Sequence, residues 1–282
     1  MCCYGNEFPE LRNNRNGLSS IMSNDFFYIF IVSNVLSALA LYFCAKRLLK
    51  FRRRQKRSFT FKSYPIPKCQ LEDVHPCFVK DQLGPNPDSA VYFIGGEGVE
   101  ASLSDRETWV VAALSKYAKR IFEFGTCSGK TSHIMAMNAP EEGLVYTLTI
   151  HPSQLEQLSF ENEDDFLHEN IAKEEAKFDV FYYSNLSTSE KIEQIFSDSK
   201  QFDESKFKNS FDLILIDGAH TRSYVRSDSK KAFSMLKQGG VILWHDYKPE
   251  APDVFSYLND LARDMPLRHI SGTDFVIFQR TS

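Results

Sequence analysis

Two short stretches carry most of the groups able to move protons. Asp217-Gly-Ala-His220 follows the apolar run FDLILI, and Trp244-His245-Asp246-Tyr247 follows VILW. An imidazole titrates near pH 6.5 when unperturbed, so it can take a proton from an acceptor around neutrality. His220 is therefore the candidate general base, with Asp217 beside it; the competing reading is a histidine that only caps its loop. A third stretch, IFEFGTCSGKT at 121–131, runs from an apolar start into a glycine-bounded loop. Its Gly-Lys-Thr ending resembles a triphosphate loop, but that motif spaces its glycines five apart and would put the first at Phe124. Gly125 and Gly129 instead frame an acidic-then-glycine pattern that starts at Glu123. A carboxylate there suits a positively charged ligand such as a sulfonium and repels phosphates.

These stretches need a scaffold that brings them together, and the chain alternates strand and helix patterns. Strands are expected at Arg120–Phe124, Leu144–Ile150, Ile192–Phe196, Phe211–Ile216, Val241–Trp244 and Phe275–Gln279. Helices are expected from Ser104, where Ser-Asp-Arg-Glu makes a capping box, then after Gly129, and at Val225–Leu236 and Val254–Ala262. Lys237-Gln238-Gly239-Gly240 reads as the close of the 225–236 helix. The acidic stretch 161–175 reads as a helix with a solvated face. Such alternation predicts an α/β fold, a Rossmann-like doubly wound and mostly parallel sheet. Ligands of such sheets bind at the carboxyl ends of the strands, where the Asp, His, Ser and Thr residues cluster here.

Composition divides the chain. Residues 1–62 carry a net charge of +8 and the remainder −12, so the acidic body is not expected to bind nucleic acid. Phe26 to Ala45 is an uncharged run of twenty residues, long enough to cross a bilayer's hydrocarbon core of roughly 30 Å. Lys46, Arg47, Lys50, Arg52, Arg53, Arg54, Lys56 and Arg57 follow it, and only Arg12 and Arg15 precede it. That asymmetry favours a single-pass anchor with the body in the cytoplasm over a cleaved signal sequence. The expected organisation is a tail at 1–25, an anchor at 26–45, a basic stem and lead-in at 46–99, and a catalytic domain at 100–282. The six cysteines show no framework spacing and read as reduced thiols.

Read in order, EFGTCSGKTS, NAPEEGLVYTLTIHP, FSDSKQFD, FDLILIDGAHTRSYVRSDSKKAFSMLKQGGVILWHDY and ISGTDFVIF resemble the bacterial class I S-adenosylmethionine-dependent methyltransferases, in particular the small-molecule O-methyltransferases. The resemblance covers about residues 100–282 and is most specific from Ile216 to Tyr247. It implies that the loop Glu123, Phe124, Gly125, Thr126, Cys127, Ser128 and Gly129 cradles the methionine portion of S-adenosylmethionine. It also implies Asp198 and Ser199 beside the adenine and Asp217 at the reaction centre, with a small-molecule methyl acceptor. Thr149 stands where relatives have an acidic residue for the ribose hydroxyls; a hydroxyl makes one such bond where a carboxylate accepts two. That departure keeps open a non-catalytic binding or scaffold protein on the same fold. Metal-dependent sugar O-methyltransferases hold a divalent ion, magnesium or manganese, at positions matching Asp217, His245 and Asp246. The alternative there is a structural pair in which His245 orients Asp246. Phe181-Tyr182-Tyr183 could line an acceptor pocket or pack on the sheet, and Arg222 falls where relatives often carry an aromatic.

Overall fold

The computed structural model describes residues 29–49, 64–99 and 102–280. The chain separates into two units, residues 1–56 and 57–282. In the first, α1 (Ile29–Leu49) is a 21-residue helix long and apolar enough to cross a membrane, a test a signal sequence also passes. Within the described residues it runs past the expected end of the 26–45 anchor, taking in Lys46 and Arg47; residues 26–28 and the basic residues from Lys50 to Lys62 lie outside the described residues.

The second unit holds strands β1 (Lys68–Cys69), β2 (Lys80–Asp81), β3 (Gly84–Pro85), β4 (Arg120–Phe124), β5 (Leu144–Thr149), β6 (Ile192–Phe196), β7 (Phe211–Ile216), β8 (Leu236–Trp244), β9 (Arg268–Ile270) and β10 (Val276–Gln279). Its helices are α2 (Asp105–Ser115), α3 (Lys130–Asn138), α4 (Phe166–Glu175), α5 (Arg222–Met235) and α6 (Pro252–Leu261). Eight strands form one sheet in the order β1-β9-β10-β8-β7-β4-β5-β6. All its pairings are parallel except those of β10, which runs antiparallel to both β8 and β9.

The chain winds from β4 outward through β5 to β6, then returns to β7 on the other side of β4. Strand order therefore reverses between β4 and β7, the place where such sheets open a crevice at their carboxyl ends. Alternate residues of the central strands face opposite layers. Phe122, Phe124, Ile214, Ile216, Ile242 and Trp244 pack with residues of α5 and α6, while Ile121, Leu213, Leu215 and Leu243 pack with residues of α2 and α3. Each such side chain contributes about 1.5–3 kcal/mol on burial, and strands covered on both faces read as near-continuous apolar runs.

The expected capping box is present. Glu107 N donates to Ser104 Oγ, and Ser104 N donates to Glu107 Oε2 at 3.0 Å. Three expectations need correction. Lys237 to Gly240 do not close a helix; α5 ends at Met235 and the next residue opens β8, whose register against β7 shifts between Phe211 and Leu213. The short β9 was not anticipated, because three residues carry too little pattern to stand out. Residues 161–165 are turn rather than helix, and α4 is not simply a solvated face: His168, Ala172 and Ala176 are buried and Glu175 lines a cavity.

Candidate active site

Gly125 sits at the reversal point. Its φ is +99°, and a Cβ there would lie 2.2 Å from the carbonyl oxygen of Asp217, so the loop after β4 can only approach the end of β7 this closely with glycine. Two adjoining cavities open at this place and share Gly125, Cys127, Glu175 and Asp217 as walls.

The first cavity, about 540 Å³, is walled by apolar groups of Phe124, Leu148, Ile150 and Leu158, with Thr149, Asp198 and Ser199 at strand ends. Asp198 Oδ1 accepts from Lys200 N at 3.0 Å, while its Oδ2 is buried without a hydrogen-bond partner next to Tyr224. Asp228, on α5, also lines this cavity and is 2% exposed; its Oδ1 lacks a partner. Burial pushes the Asp228 carboxyl up to about 7, against the pull of its hydrogen bond with Ser199.

The second cavity, about 1000 Å³ with its mouth, collects the proton-bearing groups. His220 Nε2 lies 2.7 Å from Asp246 Oδ2, and its Nδ1 lies 3.9 Å from Glu175 Oε2. Burial opposes charge on His220, but Asp246, Glu175 and Asp217 outweigh it and push the imidazole up to about 9. The expectation of a base poised near 6.5 is thus corrected: the carboxylate surroundings keep its proton on at neutral pH. Glu175 moves the other way from an ordinary acid, up to about 7, through burial first.

His245 does not join the ligand set expected of it. Its Nδ1 lies 2.9 Å from Asp217 Oδ1 and its Nε2 3.5 Å from Glu107 Oε2, so both ring nitrogens face carboxylates. Despite burial, these partners hold its pKa well above the usual range. The alternative reading, an orienting histidine, fits better, although it orients Asp217 more closely than Asp246. Three ligand atoms, one each from Asp217, His220 and Asp246, do lie within 4.8 Å of one another. Asp246 has φ +59°, a left-handed backbone that non-glycine residues adopt at a cost of about 1–3 kcal/mol. Lys248 Nζ holds its Oδ1 at 2.5 Å.

Glu123 is placed differently from its expected role. It is 1% exposed, lines neither cavity, and accepts from Ser132 Oγ and from Thr147 Oγ1 at 2.6 Å. Thr147 Oγ1 lies 2.8 Å from Thr126 Oγ1, and Gln194 Nε2 donates to Thr126. Glu123 therefore pins the loop from beneath. Thr126 and Ser128 line the second cavity, whereas Gly129 caps α3 under Phe181 and Tyr183. Phe181 and Tyr183 take the packing role, with ring centroids 5.4 Å apart. Arg222 lines neither cavity and pairs with Asp260 at 2.6 Å.

Sequence reasoning missed Glu175, Asp228 and the second role of Glu107. The first two left a signal: Glu175 continues the spacing of His168 and Ala172, and Asp228 falls among Tyr224, Val225 and Ala232, so each interrupts a buried helical stripe. Glu107 was hidden because the capping box already accounted for it.

Residues 122–247 match the family model described as a methyltransferase domain. Among solved structures, the chain is similar to the O-methyltransferase TomG from Streptomyces achromogenes, involved in tomaymycin synthesis and solved with SAM. That match has 15% identity and a TM-score of 0.46, covering 65% of this chain and 83% of that one. A putative O-methyltransferase from Klebsiella pneumoniae matches at 18% identity and TM-score 0.44, covering 65% and 83%. The SAH-bound Podospora anserina methyltransferase PaMTH1 matches at 15% and 0.45, covering 64% and 80%. No curated protein sequence matches the chain. The matched segment runs from β4 to just past the end of β8 and so takes in the strands that build the crevice.

Proposed function

We propose that the body transfers a methyl group from S-adenosylmethionine to an oxygen of a small molecule, a saccharide or lipid-linked precursor among the candidates. The observation that carries this reading is the Gly125 loop pressed on Asp217 beside the 2.7 Å His220–Asp246 pair, at one crevice. The donor fits the residues present. The apolar walls of the first cavity suit an adenine ring, and the unpartnered oxygens of Asp198 and Asp228 are acceptors for its exocyclic amine. Thr149 Oγ1 offers the ribose a single hydroxyl contact. The donor would supply a methyl group on a sulfonium: an acceptor oxygen bonds to the methyl carbon as the carbon–sulfur bond breaks, the thioether leaves uncharged, and the acceptor's proton must go to a base. Asp217, on a wall common to both cavities, faces the place where the sulfonium would lie, and Glu175 beside it adds negative charge once ionised. His220 in its neutral form takes the acceptor's proton, and Asp246 steadies the imidazolium that results.

A divalent ion, magnesium or manganese, is a second reading of the same cluster. It is favoured by the closeness of Asp217, His220 and Asp246, and such an ion would acidify the acceptor hydroxyl. His245 would orient Asp217 in either case. The scaffold reading rests on Thr149 alone. We place the protein as single-pass in the membrane through α1, with the body cytoplasmic, on the strength of the basic residues that follow the apolar run.

The test is transfer of labelled methyl from S-adenosylmethionine into membrane and small-molecule extracts. Wild-type chain should label a product and His220→Ala should not. Equal labelling by the variant would remove His220 from the chemistry.

A further inference from the structure

Lys130 is the middle residue of the Gly-Lys-Thr triplet and opens α3. Its side chain is not on the surface: it is 3% exposed and lines the second cavity with Ser102, Ser128 and Thr131. Its ammonium donates one hydrogen bond, to Ser102 Oγ at 2.9 Å. Among the described residues no carboxylate lies within ion-pairing distance; Asp105 acts on it only through space. Other largely buried lysines are served better. Lys200 reaches Ser159 O and Ser223, Lys231 reaches Phe202 O and Glu204, and Lys248 reaches Asp246 and Asp274.

A buried ammonium that, among the described residues, uses one of three donors and has no counter-ion is costly, and burial pushes its pKa down accordingly. Backbone closes over it on one side. A Cβ on Gly96 would lie 2.5 Å from Ser102 Oγ and 3.3 Å from Lys130 Nζ, so the backbone at Gly96 roofs the pair. The remaining side is the cavity, where Ser128 and Thr131 add hydroxyls. A bound anion would receive the two unused N–H donors and neutralise the charge.

We infer that Lys130, backed by Ser102 and roofed by Gly96, is the anchor for an anionic group, a carboxylate or phosphate, of a molecule bound in this cavity. Two sources share that chemistry: the amino-acid carboxylate of the methyl donor, which rests on the proposed function, and an acid or phosphate on the acceptor.

The experiment uses the full chain in detergent, wild type and Lys130→Met, titrated with S-adenosylhomocysteine, with methylthioadenosine (which lacks the amino-acid portion) and with inorganic phosphate. If the donor's carboxylate is the partner, the variant binds S-adenosylhomocysteine roughly tenfold or more weakly and methylthioadenosine unchanged. If the acceptor supplies the anion, S-adenosylhomocysteine binding is unchanged, and phosphate raises the melting temperature of wild type but not of the variant. Either result supports the anchor. Unchanged S-adenosylhomocysteine binding with no phosphate effect particular to wild type overturns it, as does equal weakening of both nucleosides. Should wild type fail to bind S-adenosylhomocysteine at all, the donor assignment falls and the phosphate arm decides for Lys130. Ligand-free Lys130→Met should melt no lower than wild type, since it removes an unpaired buried charge; if it does not fold, Ser102→Ala, which strips the amine of its backing hydroxyl, should weaken the same ligand, and an unchanged affinity there overturns the anchor.

Discussion

Glu123→Gln should change how stability depends on pH. Glu123 is fully buried, and its carboxyl is pushed by burial from an ordinary 4.5 up to about 8, against the pull of the Ser132 and Thr147 hydroxyls. A folded-state value above the unfolded one means that the folded state binds the proton more tightly. The associated stability is full below pH 4.5 and is lost as pH rises through 8. At about 1.4 kcal/mol per pH unit, the loss is roughly 3 kcal/mol by pH 7 and roughly 5 kcal/mol above pH 8. Glutamine keeps an acceptor for both hydroxyls and does not titrate. Asp228 and Glu175 also sit high, near 7, but they are common to both proteins and cancel in the difference. Urea unfolding of the two proteins from pH 5 to pH 9 should therefore give curves that diverge, with the variant gaining on wild type as pH rises. Parallel profiles would refute the claim that Glu123 is held neutral beneath the loop.

Other substitutions test the site itself. Gly125→Ala forces a methyl group to within 2.2 Å of Asp217 O at φ +99°; it should lose at least about 2 kcal/mol by urea unfolding, and wild-type stability would deny the close approach. Thr149→Asp should tighten S-adenosylhomocysteine roughly tenfold by adding a second, charge-assisted acceptor; unchanged affinity would remove the ribose from that position. With His220 held near 9, kcat/KM should rise with pH through the neutral range toward that value, because the acceptor of the proton must first lose its own. A profile flat from pH 6 to pH 8 would mean that another group takes the proton.

The sequence made the sheet legible because strands buried on both faces must be apolar, and their ends must then supply whatever polar chemistry the crevice holds. FDLILI ending in Asp217 and VILW ending in His245-Asp246 are two such cases. The capping box at Ser104 was equally plain, since its bonds are local. What stayed hidden depends on three-dimensional neighbours. The pKa of His220 is set by Asp246 in the loop after β8 and Glu175 on α4, and no spacing along the chain reveals that company. Glu123 looked like a ligand group because of its position before Gly125, yet a residue whose side chain points down from a strand end serves the layer beneath. The pairing of His245 with Asp217 and Glu107, across two strands and a helix, was beyond any motif.

The most direct test of the account is a calorimetric titration of the full chain with S-adenosylhomocysteine and, separately, with ATP. The crevice between the Gly125 loop and Asp217 predicts saturable binding of S-adenosylhomocysteine at one site and no heat from ATP. Folded protein that binds ATP alone, or neither compound, would contradict it.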